Sequence, residues 1–243
     1  MHPLIGGILE AARARGPDAA QTWRPQERRD LVGSASALKR KGIIPIIAEI
    51  KPRAIGRALA PEEVAAYARA YAENNACAVS VLTEPTHFLG SLENALIARK
   101  SGLPILRKDF IFDERQLSEV QADLVLLIAA LGIDLKRFVN GARAHGMEPL
   151  VEVHDESEMK LALESGTKII GINNRNLNTL EVDLETFERL APAAKKAGVF
   201  LVAESGVHSR EDALRMMQAG ADALLVGTEL MEMPERLREL NRF

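Results

Sequence analysis

The chain has 243 residues, 47% hydrophobic and 27% charged, with 31 Lys+Arg against 34 Asp+Glu for a net charge of −3. This composition fits a globular protein and excludes a disordered one. The near-neutral balance excludes a nucleic-acid binder that works by bulk positive charge, so any anionic ligand must be held by a local cluster. The single Cys77 rules out an intramolecular disulfide and a multi-cysteine metal site. His2, His87, His145, His154 and His208 are scattered, and none of their spacings suits a zinc-binding helix. The longest apolar run, residues 124–133, is about half of the ~20 residues a membrane span needs. Gly6-Gly7 and Glu10 interrupt what would have to be an unbroken apolar signal sequence. The expectation is a soluble cytoplasmic protein with no metal and no cofactor.

The first 42 residues stand apart. An amphipathic stretch, 4–15, is followed by Gly16-Pro17 and an Arg-rich segment around Trp23. They read as an N-terminal extension packed on, or capping, the main body of the chain. From about residue 43 two patterns alternate. Short β-branched apolar runs, the mark of buried parallel strands, are predicted at 43–49, 76–82, 104–108, 124–128, 148–153, 168–172, 199–204 and 223–226. Charged stretches with apolar residues at helical spacing predict helices at 61–74, 92–101, 114–121, 135–145, 156–165, 184–197, 210–219 and 229–241. Eight βα units of roughly 25 residues each predict an α/β fold, a (β/α)8 TIM barrel with an N-terminal helical extension, in one domain spanning 1–243. The competing doubly wound sheet would carry a glycine-rich fingerprint after its first strand, and none follows Glu49. The joins Gln121-Ala122-Asp123-Leu124 and Gly220-Ala221-Asp222-Ala223 look alike, as repeated βα units would.

In such a barrel the chemistry lies at the C-terminal rim, so the polar residues that finish strands carry the information. They are Glu49 and Lys51, Thr83 and Glu84, Lys108 and Asp109, Glu152, Asn173 with Asn174 and Arg175, and Glu204 with Ser205. Glu49, Lys108, Glu152 and Glu204 each end an apolar run and are expected to project toward one cavity. Crowded carboxylates and lysines move one another's pKa values apart, which divides acid from base roles near neutral pH. A second signal sits in the last two units, the usual phosphate grip of this barrel. Glu204-Ser205-Gly206 precedes Ser209, a candidate helix N-cap with Asp212 three residues on, and Val226-Gly227-Thr228 runs into the final helix. Glycines there let backbone N–H groups approach an anion, although they also serve simply to make tight βα turns.

These blocks resemble the indole-3-glycerol phosphate synthase family of tryptophan biosynthesis. The resemblance rests on Ile46-Ile47-Ala48-Glu49-Ile50-Lys51, on Leu82-Thr83-Glu84 with Phe88-Leu89-Gly90-Ser91, and on Pro104-Ile105-Leu106-Arg107-Lys108-Asp109-Phe110. It continues through Gly146-Met147-Glu148-Pro149-Leu150-Val151-Glu152, Gly171-Ile172-Asn173-Asn174-Arg175-Asn176-Leu177 and Ala203-Glu204-Ser205-Gly206. It implies a lyase that converts 1-(2-carboxyphenylamino)-1-deoxyribulose 5-phosphate to indole-3-glycerol phosphate with loss of carbon dioxide and water. It implies Lys108 as general acid on the substrate carbonyl, Glu152 as general base and Glu49 as the group tuning Lys108. Lys51 would hold the substrate carboxylate and support proton transfer, Asn173 would anchor, and Glu204 and Ser205 would complete the polar ring. Phe88 and Phe110 would wall the anthranilate ring, while Lys51, Arg53, Arg175, Gly206, Gly227 and Thr228 would serve substrate and phosphate. The implied partner is a phosphorylated small molecule, not nucleic acid or a membrane. The expected state is a monomer, with association to other tryptophan-pathway subunits left open.

One departure stands out. Where the family carries Ser-Pro-Ser after its first lysine, this chain has Ala54-Ile55-Gly56 following Lys51-Pro52-Arg53, so two phosphate-binding hydroxyls are missing. Ile8 also stands where the family often has an aromatic residue near the anthranilate pocket. Two rival readings remain: another phosphate-sugar barrel enzyme of the phosphoribosyl isomerase type, or a non-catalytic barrel with a degraded phosphate site. The isomerase needs a Cys/Asp or Asp/Asp pair at its strand ends, and Cys77 begins its strand instead.

Overall fold

The computed structural model describes residues 2–15 and 28–243. Trp23 and Gly16-Pro17 lie outside the described residues. Among the described residues, two helices come first, α1 (Pro3–Arg15) and α2 (Leu31–Lys39). The alternating part then runs β1 (Ile46–Ile50), α3 (Pro61–Glu73), β2 (Ala78–Leu82), α4 (Leu92–Ala98), β3 (Ile105–Lys108) and β4 (Leu124–Ile128). It continues α5 (Leu135–Ala144), β5 (Glu148–Val153), α6 (Glu156–Glu164), β6 (Ile169–Asn173), α7 (Glu185–Ala197), β7 (Phe200–Glu204) and α8 (Arg210–Gln218). It ends with β8 (Ala223–Val226), α9 (Thr228–Glu232) and α10 (Leu237–Leu240). All eight strands pair in parallel in chain order, and β8 closes on β1. The fold is therefore the (β/α)8 barrel predicted from the alternation.

Strand side chains point alternately outward, onto the helices, and inward, into the barrel. Ile46, Ala48 and Ile50 of β1 belong to the outer apolar layer with Val64, Ala68 and Tyr71 of α3. Ile47, Leu106, Leu124, Leu126, Leu150, Ile169, Val202 and Leu225 fill the interior. The register then decides the top layer: Glu49 pairs with Ser80, Leu82 with Lys108, Ile128 with Glu152, and Asn173 with Glu204. The same period that buries the leucines brings these polar residues together at the C-terminal rim.

The two N-terminal helices serve opposite ends. Leu31, Ala35 and Leu38 of α2 pack into the interior cluster beside Cys77, and Ser34 donates to the Cys77 carbonyl at 2.7 Å. That is the N-terminal end of the strands. Helix α1 crosses the other end: the His2 N–H donates to Leu177 O, after β6, and Arg15 makes a two-pronged contact with Asp109, after β3, at 3.0 and 3.1 Å. The similar joins before β4 and β8 also share a duty. Asp123 accepts from the Ile105 N–H and Asp222 from the Leu201 N–H, each fixing the preceding strand.

Four expected elements differ. β1 starts at Ile46, because Pro45 has no N–H and Ile44 donates instead to Asn241 O. Residues 99–101 at the end of the expected 92–101 helix tighten into a 3-10 turn. The expected helix at 114–121 is a 3-10 turn, Glu114–Ser118, capped by Asp113. The expected C-terminal helix at 229–241 is cut after Glu232, with Pro234 starting a short 3-10 turn before α10.

Candidate active site

A cavity of about 190 Å³ opens at the C-terminal rim. Its polar lining includes Glu49, Lys51, Lys108, Glu152, Asn173 and Ser205. Lys108 sits at its centre, with Nζ 3.0 Å from Glu204 Oε2 and 3.2 Å from Glu49 Oε2. Burial alone would pull the ammonium's pKa down, but the charges of Glu204, Glu49 and Glu152 outweigh it and hold the lysine protonated. Glu204 answers in the opposite sense: burial, together with repulsion from Glu152 and Glu49, overcomes the pull of Lys108 and pushes its carboxyl up to about 7. Ser80 adds a hydrogen bond to Glu49 Oε2 at 3.3 Å.

Glu152 is held by Asn173, itself fixed by Ser205, and by His154. Asn173 Nδ2 donates to its Oε1 at 3.2 Å, and Ser205 Oγ donates to Asn173 Oδ1 at 2.9 Å, so the amide cannot turn. His154 Nε2 stands 3.2 Å from the same Oε1. Burial would raise the Glu152 pKa, yet His154 first, then Lys108 and Asn173, bring it down to about 2, so the group is an ionised carboxylate near neutral pH. Ser205 occupies the left-handed region at φ 66°, a backbone cost typical of functional positions.

The opposite wall is apolar. The Phe88 and Phe110 rings lie 6.1 Å apart, tilted by 42°, and both line the cavity. Helix α1 contributes Ile5 and Leu9 to this wall; Ile8 is buried and is not among the lining residues, so it does not fill the pocket position expected of it. The loop bearing Phe88 is held by Glu84, which accepts from the Thr86, His87 and Phe88 N–H groups. Gly90 closes that loop where a Cβ would stand 2.1 Å from Leu82 O.

The other strand-end and loop residues take the following places. Glu204 lies beneath the cavity, fully buried, in space that Gly171 leaves open: a Cβ there would stand 2.1 Å from Glu204 Oε1. Thr83 and Asp109 join the buried Arg107, which also pairs with Glu119. Asn174 bonds Ser205 O and the Phe187 N–H. Arg53 is exposed and Gly206 packs under Val182 and Leu184, so neither is among the cavity's lining residues. Arg57 is engaged with Glu63 at 2.6 Å. At the end toward β8, Lys51, Gly227 and Thr228 line the cavity, and among the described residues Lys51 has no carboxylate partner. Arg175 lines it from β6, its guanidinium on Leu180 O. Asp212 donates its N–H to Ser209 Oγ, making the expected N-cap of α8. His154 is a site residue that the sequence reading misses, although it lies two places beyond Glu152 on the same strand run, a spacing that puts both side chains on one face.

The closed barrel and its buried lysine–glutamate rim define a (β/α)8-barrel enzyme of acid–base chemistry. Comparison with known proteins narrows this. The family model for indole-3-glycerol phosphate synthase matches residues 8–243. The chain is 44% identical over 235 residues to an indole-3-glycerol phosphate synthase of Halobacterium salinarum, covering 96% of this chain and 92% of that protein. It is 43% identical over 223 residues to that of Methanocaldococcus jannaschii, covering 88% and 83%. Among solved structures, an N-acetylmannosamine-6-phosphate 2-epimerase from Clostridium perfringens superposes with a TM-score of 0.63 at 14% identity, over 88% of this chain and 97% of that one, which bears on the fold alone. The chain belongs to the indole-3-glycerol phosphate synthase family.

Proposed function

We propose that this rim closes the indole ring of 1-(2-carboxyphenylamino)-1-deoxyribulose 5-phosphate, giving indole-3-glycerol phosphate with release of carbon dioxide and water. Lys108 protonates the substrate carbonyl oxygen as the ring carbon bonds to the carbonyl carbon, and carbon dioxide then leaves that ring carbon. On dehydration Glu152 takes the C–H proton while Lys51 protonates the departing hydroxyl. Acid–base groups so placed typically give ~10²–10⁴-fold each. Glu49 and Glu204 hold Lys108 charged and in place, while Asn173 and Ser205 orient Glu152. The anthranilate ring lies against Phe88 and Phe110. The free ammonium of Lys51 meets the substrate carboxylate, with Arg175 on the same side, and the phosphate rests at Gly227 and Thr228, with Gly206 and Arg53 outside direct contact.

The observation that supports this reading most is the Lys108 ammonium fixed at 3.0 and 3.2 Å between two carboxylates, facing a third that stays ionised. The rival isomerase reading requires an acidic pair at the reacting carbon, and the cavity offers a lysine there. The same proposal includes a cytoplasmic monomer, one folding unit over 1–243, active without metal or cofactor. Purified chain incubated with the substrate in EDTA should generate indole fluorescence. Loss of turnover in EDTA, restored by zinc or magnesium, contradicts the metal-free chemistry.

A further inference from the structure

Behind Glu152 lies a second cavity of about 620 Å³, lined by His154, Asp155, Glu158, Asn173, Asn174 and Arg175 among others. Asn173, Arg175 and Leu177 line both spaces, and His154 lines the second directly behind Glu152. On one side its Nε2 is 3.2 Å from Glu152 Oε1; on the other its Nδ1 is 2.9 Å from Glu158 Oε2, which also accepts the His154 N–H at 2.8 Å. Helix α6 fixes this geometry: Asp155 caps it, accepting from the Glu158 N–H at 2.9 Å, and so places Glu158 one turn along, facing back to the ring. The side chain of His154 is 10% exposed. An imidazole buried this deeply between two carboxylates, with one anchored by a helix cap, is over-determined for a packing residue.

The geometry points to His154, clamped by Glu158, as a positioning residue that holds the carboxylate of Glu152 ionised and oriented for its work as base. This rests on the reading of Glu152 as general base. Glu152 needs such help. Glu49 faces the same cluster from β1 and Glu204 from β7, so two like charges and burial act against its ionised form, and Lys108 from β3 is already shared with both. His154 faces Glu158 and Asp155 from α6, with Arg175 and Arg189 across the second cavity. Its ring is a counter-charge for Glu152 that Lys108 does not have to supply, shared with Glu158 on the other side. Its Nε2 stands 3.2 Å from Glu152 Oε1 without an aligned hydrogen bond, so the contact is one of charge more than of direction.

The test uses the full chain and steady-state kinetics on the carboxyphenylamino substrate. His154→Ala should lower kcat by roughly 10–100-fold, the cost of a misplaced catalytic group, with KM changed less than about twofold. Added imidazole, entering from the second cavity, should recover part of kcat; a residue that only packs would give no such rescue. Glu158→Gln should lower kcat in the same direction by a smaller factor, and it reports on the clamp even if His154→Ala fails to fold. Unchanged kcat in folded His154→Ala and in Glu158→Gln overturns the proposal. So does a loss confined to KM. Glu152→Gln separates the two levels: if it is inactive while His154→Ala is normal, only the clamp is wrong, and if it is fully active, the base assignment itself is wrong.

Discussion

Lys108 must be charged to act as an acid, and the protein secures this with carboxylates rather than with solvent. Removing the ammonium should therefore abolish turnover and leave the barrel folded, since Lys108 is no part of the apolar layers. Lys108→Ala is expected to lose more than ~10²-fold in kcat with an unchanged circular dichroism spectrum. Glu204→Gln is subtler. It keeps the shape and takes one negative charge away from Lys108, so the lysine pKa falls and the basic limb of the pH–rate profile moves to lower pH; a limb that stays put or rises contradicts the electrostatic role of Glu204. Which residues end strands was legible from the chain, because an apolar run that stops on a charge marks both the strand and its rim. Depth was not. Glu204 reads as a peer of Glu152, yet it sits below the cavity because Gly171, on the neighbouring strand, has no side chain to keep it out. For His154 the only sign was its place two residues beyond Glu152, on the same face, because a lone histidine matches no metal-site spacing.

At the scale of the loop after β1, the missing hydroxyls have a structural context. Pro52–Ile55 forms a 3-10 turn, Ala54 and Ile55 pack against the outer apolar layer, and Gly56 takes a left-handed φ of 74°. Restoring all of Ser-Pro-Ser at 54–56 would put a Cβ at that left-handed position and strain it. Ala54→Ser alone is the cleaner change. A regained hydrogen bond to a charged phosphate is worth ~1.5–3 kcal/mol, roughly 10–150-fold in affinity, so KM should fall by about tenfold or more with kcat little altered. An unchanged or higher KM would mean that the phosphate is gripped without this loop. Element types were legible wherever an apolar period ran unbroken, as in α3, α5 and α7. They were least legible where a local device overrode the period, as Pro234 does within 229–241. Helix α2 was hidden because Gly33, Ser34 and Ser36 dilute its apolar stripe; its Asp30 cap, accepting from the Val32 N–H, was the available sign.

On the scale of the whole molecule, the C-terminal rim gathers buried Glu49, Glu152 and Glu204 around Lys108 with His154 behind them, and stability should depend on pH accordingly. His154 is set between burial, which lowers its pKa, and Glu152 and Glu158, which raise it to about 10. Its folded pKa exceeds the ordinary 6.5, so its contribution is fully present below pH 6.5 and is lost as pH rises through about 10. The Tm difference between the wild type and His154→Gln should be largest near pH 6 and shrink toward pH 10; a pH-independent difference would falsify the charge pairing. No described helix is long and apolar enough to cross a membrane. The closed topology itself was readable, since strict alternation of eight strands with helices leaves few other arrangements, whereas the way α1 and α2 take opposite ends depends on pairs far apart in sequence, Arg15 with Asp109 and Ser34 with Cys77. The central claim is that this lysine–glutamate rim forms the indole ring. It is tested most directly by product formation from 1-(2-carboxyphenylamino)-1-deoxyribulose 5-phosphate, followed by indole fluorescence, with the wild type and Lys108→Ala side by side. Indole-3-glycerol phosphate is expected from the wild type, with at least ~10²-fold less turnover from the variant; no product from the folded wild type, or near-equal rates from both, would remove this chemistry from the rim.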